Sequence, residues 1–475
     1  MRIIILGAGQ VGASVAESLA SEENDITVVD MAPLLLANLQ DRLDIRAVQG
    51  NAAYPSVLRE AGAEDADVLI AATQSDQTNL VACKVAQNIF HIPTRIARLR
   101  SADFLDDPVL LSPENFAVDY AICPEQDITE YIAKLIEFPE ALQVLEFARG
   151  RLSLVAVRAF EGGPLVGRPL RELQLHLPDI DFRIAAIFRR EEAIVPEGDT
   201  VIEPGDEVFC LAATEHIRHA LHELRRLDRP VKRVMIAGGG NIGMRLARKL
   251  EGRYEVKLIE ANKARGEVIA QQLQRTLVLS GDATDEELME QENITDMDLF
   301  LALTNDDEDN IMAATLAKRL GCRRVLALIN RRAYAEMVEG GPIDIAISPA
   351  QIAIGCVLAR FRRGDVVRVH SLRRGAAEAL EIIAHGDAKT SKVVGRRLAD
   401  IDLPPGASIA AVVRDLDQPE VVYIHDVVTE TALGHVEIAH HDTLIEPDDH
   451  VIVFCTSKKL VPKVEKLFQV SVGFF

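Results

Sequence analysis

Two short stretches of the chain, GAGQVG and GGGNIG, place glycines at Gly7, Gly9 and Gly12 and again at Gly238, Gly240 and Gly243. The chemistry this spacing serves is the holding of a pyrophosphate. The first glycine allows a tight turn, the second lets the backbone approach phosphate oxygens, and the third lets the following helix pack on the strand. Unpaired N–H groups at the start of that helix then face the anion. The triplet alone is a weak signal, and its context strengthens it: a short apolar strand, Ile3 to Leu6 or Val234 to Ala237, runs into each loop and an amphipathic helix follows.

Eighteen residues past the first loop the stretch DITVVD ends in Asp30, and its counterpart EVKLIE ends in Glu260. A carboxylate there accepts hydrogen bonds from adenosine ribose hydroxyls and repels a 2′-phosphate, which favours NAD over NADP. The same acid does not distinguish NAD from ATP or ADP, and its plain alternative is a turn residue at a strand end. The third strand of each copy ends at Asn51 or Asp282, which either reaches an adenine edge or caps a helix. The fourth ends at Thr73, either beside the nucleotide or as a turn former. After the fifth strand, Arg98 and Arg100 stand at alternate positions as a candidate phosphate clamp, with solvent-facing strand-end charge as the alternative. The second copy has Leu328 and Asn330 there, with Arg331 and Arg332 just beyond. The first site is therefore the better equipped for a phosphate-rich ligand.

Catalytic machinery is not visible beside these loops. A dehydrogenase needs a general acid or base near its nicotinamide, commonly a His or Lys with an orienting carboxylate. His216, His219 and His222 lie three apart and suit a solvated helix face better than a metal site. No Walker lysine loop, G-x-S-x-G or H-E-x-x-H is present. Six scattered cysteines (Cys83, Cys123, Cys210, Cys322, Cys356 and Cys455) form no C-x-x-C pair and read as reduced core residues of a cytosolic protein. A formal net charge of −21 argues against nucleic acid as the main partner. With the first strand beginning at Arg2 and no apolar run approaching about 18 residues, neither a cleavable signal nor a membrane span is expected.

The elements that must position these residues come as a repeat. At an offset of 231, Gly50-Asn51-Ala52 aligns with Gly281-Asp282-Ala283, and Thr73, Asp76 and Asn79 align with Thr304, Asp307 and Asn310. A second kind of segment follows each copy, marked by V-G-R-x-L and I-E-P-x-D-x-V, with period-2 alternation and tight turns. The chain thus reads N, C, N, C. The expected fold class is α/β: duplicated Rossmann-like doubly wound parallel sheets, each followed by a small α/β domain. The expected segments are 1–124, 125–228 (with a connecting helix), 232–350 and 351–475. The connecting helix carries Ile128, Ile132, Leu135 and Ile136 on one face, and either simply links domains or packs on a neighbouring copy. HELRRLDRPVKR is the expected linker between halves. About 15 extra residues in the second C segment fit a surface loop or hairpin extension.

Taken as a set, GAGQVG, DITVVD, GNAA and AATQSDQTNL in the first half, GGGNIG, GDAT and ALTNDDEDNI in the second, and the trailing V-G-R-x-L and I-E-P-G-D phrases closely resemble the Trk potassium uptake protein A family. That family is built from two regulator-of-potassium-conductance (RCK) N and C units. The resemblance implies a non-enzymatic, cytoplasmic gating subunit on the inner face of the membrane. It implies assembly as a homo-oligomeric ring under a potassium-translocating membrane subunit of the TrkH/TrkG type, with binding of NAD(H) and of ATP or ADP, and no nucleic acid. By the family pattern the binding positions are Gly7, Gly9, Gln10, Val11, Gly12, Asp30, Asn51, Thr73 and Arg98, to which the strand spacing adds Arg100. In the second half they are Gly238, Gly240, Asn241, Ile242, Gly243, Glu260, Asp282 and Thr304. Asn51 stands where the pattern usually has Asp. Two rival readings are an NAD-dependent oxidoreductase with a duplicated cofactor domain and a regulatory subunit of a cation antiporter.

Overall fold

The apolar run Ile3 to Leu6 is buried at every position, as a strand covered by helices on both faces must be. In the computed structural model, which describes all residues except 21–23, 106, 174–179, 191, 195, 225–228, 339–340, 362–365, 373–376, 417–418, 425–426, 433 and 471–475, this run lies in β1 (Arg2–Leu6). It pairs in parallel with β2 (Asp25–Asp30) and β4 (Val68–Ala71). With β3 (Arg46–Gln49), β5 (Thr94–Arg98) and β6 (Tyr120–Ile122) the sheet order is β3-β2-β1-β4-β5-β6. The order reverses between β1 and β4, and a crevice at such a switch point is where open α/β sheets bind ligands. The helix Gln10–Ala20 packs Val11, Val15, Ala16 and Leu19 on the sheet. The helix Asp76–Asn88, capped by Ser75, packs Leu80, Ala82, Cys83 and Ala86.

The first C segment forms an antiparallel sheet of β7 (Ala141–Phe147), β8 (Leu152–Arg158), β9 (Phe182–Arg189), β10 (Glu192–Ile194) and β11 (Glu207–Ala213), ordered β10-β9-β11-β8-β7. Arg189 makes a two-pronged pair with the buried Asp206, at 2.9 and 2.8 Å, tying β9 to the turn before β11.

The second half repeats both sheets. β12 (Arg233–Ala237), β13 (Glu255–Glu260), β14 (Leu277–Ser280), β15 (Leu299–Ala302), β16 (Arg324–Leu328) and β17 (Ile345–Ile347) take the order β14-β13-β12-β15-β16-β17. β18 (Val366–Leu372), β19 (Ala377–Ala384), β20 (Ala407–Arg414), β21 (Pro419–Ile424), β22 (Val427–Ala432), β23 (His435–Ile438) and β24 (Asp449–Cys455) complete the chain. The five-stranded order is β18-β19-β24-β20-β23, and the extra residues of this segment are the separate hairpin β21–β22. Among the described residues the fold is therefore mixed α/β, with two parallel Rossmann-like sheets, two five-stranded antiparallel sheets and this two-stranded hairpin. Part of the expected linker, residues 225–228, lies outside the described residues.

Like segments fold with like. Met1–Ile132 and Lys232–Val357 form one compact unit, and Ala133–Val231 and Leu358–Phe475 form the other. The helix Pro124–Glu137 buries Ile128, Ile132, Leu135 and Ile136, the face its spacing predicts, and crosses the boundary between the two stretches.

Within the second unit the two C sheets meet through buried polar groups. Glu381 accepts a hydrogen bond from the Ala148 N–H at 3.0 Å and sits 2.7 Å from His450 Nδ1. His370 Nε2 lies 3.1 Å from the Glu146 carbonyl, and its ring meets Phe147 edge-on. Burial pushes the His370 imidazole down to about 4, with Arg368 acting in the same direction and the Glu146 carbonyl, Glu381 and the Glu146 carboxylate opposing it. The unfolded chain takes up this proton near its ordinary value of about 6.5 and the folded chain does not. Stability from this group is thus complete above about pH 6.5 and is lost as the pH falls toward 4. Urea unfolding of the full chain between pH 7 and 4 is expected to lose stability in that window, and His370→Gln to flatten that part of the profile.

Candidate nucleotide-binding sites

The geometry of each loop explains its three glycines. Gly7 has φ +104° and Gly238 φ +102°, where side chains are strained, and a Cβ on Gly7 would stand 2.8 Å from the Ala72 carbonyl oxygen. A Cβ on Gly12 would stand 1.9 Å from the Gly7 oxygen, and one on Gly243 2.0 Å from the Gly238 oxygen. These positions fix the turn and the helix contact. Gly9 and Gly240 differ: a Cβ at either would meet nothing within 4 Å. The middle glycine of each loop borders open space at the start of a helix, which is the cradle a pyrophosphate needs. Gln10 and Asn241 begin the two helices, with Val11 and Ile242 next in line.

Each ribose-site candidate closes back on its loop. Asp30 accepts the Ala8 N–H at 2.6 Å and the Ala32 N–H at 2.8 Å. Glu260 accepts the Gly239 and Asn262 N–H groups, both at 2.9 Å. One bond per oxygen leaves lone pairs on both carboxylates for hydroxyl donors. Sequence reasoning missed Arg265, whose Nε donates to the Gly239 carbonyl at 3.1 Å and lies 4.0 Å from Glu260. The first copy has the exposed Leu35 at the same distance from its acid. This guanidinium partly offsets the charge of the Glu260 carboxylate.

Thr73 and Thr304 are held by a shared network. The Thr73 N–H and hydroxyl both donate to Asn79 Oδ1, at 3.0 and 2.7 Å, while Asn79 Nδ2 donates to the carbonyls of Thr73 and Arg98. Asn310 repeats the pattern on Thr304 and Leu328. Both asparagines are fully buried. Asp76 accepts the N–H groups of Arg100 and Ser101, and Asp307 those of Asn330 and Arg331. The repeated Thr, Asp and Asn positions thus stitch the end of the fourth strand to the end of the fifth. Asn51 and Asp282 are not the helix caps: each accepts the N–H two residues on, at 3.0 and 2.8 Å, in an Asx turn, while Tyr54 and Asp285 hold the cap positions.

The arginine pair is not free-standing. Arg98 pairs with Glu125 at 2.6 Å, both nearly buried, and Arg100 Nε lies 3.5 Å from the same oxygen. Arg98 Nε, Arg100 Nε and Glu125 Oε2 are buried without a hydrogen-bond partner, so the cluster holds polar capacity that the protein does not use. Arg245, from the other Rossmann domain, donates to the Arg100 carbonyl at 2.6 Å. In the second copy Leu328, Asn330 and Ala350 replace the triad, since Leu328 pairs with Ile347 in the register that joins Arg98 to Ile122. Arg331 instead pairs with the exposed Glu308.

Elsewhere, no group of three or more His, Cys, Asp or Glu among the described residues is arranged to hold a metal ion. His216 caps the short helix Ile217–His222, and His219 and His222 face solvent. The five cysteines with described side chains are buried thiols. Burial pushes Cys83 up to about 12 and Cys322 to about 11, far from nucleophilic thiolates. No helix among the described residues is long and apolar enough to cross a membrane.

The TrkA-N domain family model matches residues 3–124 and 234–349, and the TrkA-C domain model matches 154–225. The chain is 54% identical to the Trk system potassium uptake protein TrkA of Halomonas elongata and 52% identical to that of Vibrio alginolyticus, over all 475 residues and the full length of each. Among solved structures, the GsuK RCK domain superposes with a TM-score of 0.60 at 17% identity, covering 98% of this chain and 94% of that one. The NAD-bound GsuK channel gives 0.59 at 16%, covering 98% and 78%. These likenesses establish the fold, and the full-length identity establishes the kinship: the chain belongs to the Trk system potassium uptake protein TrkA family.

Proposed function

We propose that the chain is the nucleotide-sensing regulatory subunit of a potassium uptake system. In this reading it binds NAD(H) and ATP or ADP in its two glycine-lined crevices and sets the activity of a potassium-translocating membrane subunit without transforming the ligand. It works in the cytoplasm, attached to the membrane through that partner, as a homo-oligomeric ring. The observation that carries the reading is the pairing, in both halves, of an open middle glycine with a carboxylate at the end of the second strand, in a chain of this family. The NAD-bound GsuK channel supports it through shared fold alone. The test is reconstitution with the cognate membrane subunit in liposomes. Potassium flux is expected to change when NADH is exchanged for ATP at fixed potassium, with both nucleotides recovered intact; equal flux under all nucleotides would contradict it.

The Arg98, Arg100 and Glu125 cluster gives the first crevice its selectivity in this reading. Glu125 neutralises one of two arginines, and an incoming phosphate competes with it for Arg98. Glu125→Gln is expected to strengthen ATP binding at the first site roughly tenfold. The second site, which has Leu328, Asn330 and Ala350, serves as an internal control and should not change. Calorimetric titration of the variant with ATP checks both.

A further inference from the structure

A cavity of about 490 Å³ lies in the unit formed by the C segments, where the start of β9 faces β20 and the end of β23. Its volume falls in the range of small-molecule sites. The repeat explains why there is room. The I-E-P-x-D-x-V phrase makes Val208 and Val451 equivalent, and pairing across the sheets then makes Ile184 equivalent to Ile409. Phe182 and Arg183 therefore correspond to Ala407 and Ser408. All four line the cavity, and the second sheet contributes the smaller side chains.

Its chemistry is one-sided. Arg183 is mostly buried, and Nη1 alone makes both of its hydrogen bonds, to the carbonyls of Ile409 at 3.2 Å and Ala439 at 2.8 Å. Among the described residues no carboxylate forms an ion pair with it. Nε and Nη2 are thus donors left for a ligand, on a guanidinium whose burial carries a desolvation cost that an anion would offset. Asp181, two residues before Arg183, lies 3.7 Å from the His440 imidazole. The other walls carry the apolar Leu403, Ile409 and Ile438, with His440 and His441 also lining the space.

We infer that this cavity binds a small organic anion, its carboxylate, sulfonate or phosphate group on Arg183 and a flat apolar body against Leu403, Ile409 and Ile438. The site is separate from both Rossmann crevices and does not rest on the proposed nucleotide function. The probe is 8-anilinonaphthalene-1-sulfonate, titrated by fluorescence into the full-length chain, with circular dichroism as the control for folding. One binding site per chain is expected to respond to the cavity residues. Arg183→Met, which removes the charge, and Ser408→Phe, which fills the space while keeping Arg183, each weaken that binding about tenfold or more. Arg183→Lys, which keeps the charge but loses the planar fork, gives a smaller loss and serves where a bulkier change disturbs folding. Wild-type affinity and stoichiometry in every folded variant would overturn the assignment.

Discussion

Gly12→Ala is expected to abolish nucleotide binding in the first crevice and to destabilise the Rossmann unit, because the new Cβ would stand 1.9 Å from the Gly7 carbonyl oxygen. That contact is with backbone and cannot be relieved by a rotamer change, so the loop or the helix Gln10–Ala20 must move. Overpacking of this kind costs about 3 kcal/mol. For a unit of this size the melting temperature should fall by roughly 6–12 °C. Gly9→Ala separates binding from stability. Its Cβ would meet no protein atom within 4 Å, so stability should change by less than about 1 kcal/mol while binding is lost, since the methyl group enters the space a pyrophosphate needs. Thermal unfolding and titration with NADH of the two variants give the comparison. A Gly9→Ala chain that binds as the wild type would remove the assigned role of the loop.

The second large effect is expected at Asn79. Its side chain is fully buried and satisfies the N–H, hydroxyl and carbonyl of Thr73 together with the carbonyl of Arg98. Asn79→Ala leaves those groups unpaired around a small void, at a cost of about 3 kcal/mol or more. Because Asn79 ties the end of β4 to the end of β5, the variant also releases the strand end that carries Arg98 and Arg100. ATP affinity in the first crevice should fall with stability. Asn310→Ala breaks the same bonds in the second copy and should cost similar stability while leaving the first crevice intact. Urea unfolding and ATP titration of both variants check this. A loss of first-site affinity in Asn310→Ala equal to that in Asn79→Ala would contradict the independence of the two networks.

Local signals in the sequence reach some of this architecture and not the rest. The glycine loops, the strands that feed them and the acids at Asp30 and Glu260 are legible because backbone sterics and strand alternation act within a few residues. The repeat at offset 231 also marks Thr73, Asp76 and Asn79 as a unit, although the spacing does not say that Asn79 holds Thr73 rather than a ligand. Glu125 is invisible as the partner of Arg98 because the two meet only when β5 and β6 pair, 27 residues apart in sequence. Arg265 gives no local cue, because a single arginine on a polar helix face has no signature of its own. The folding of N with N and C with C depends on contacts between residues far apart in sequence, 145 for Arg100 with Arg245 and 233 for Ala148 with Glu381, for which N, C, N, C order carries no local cue. The cavity beside Arg183 needs the register of two separate sheets before Ser408 can be set against Arg183.

The proposed function requires two crevices that each grip the adenosine end of a nucleotide and leave it unchanged. Its most direct test is calorimetric titration of NADH, NAD and ATP into the wild-type chain and into Asp30→Ala and Glu260→Ala. The wild type should show two sites per chain, each substitution should weaken one of them about tenfold or more, and the nucleotide should be recovered unaltered. Unchanged affinity at both sites in the two variants, or consumption of NADH during the titration, would contradict it.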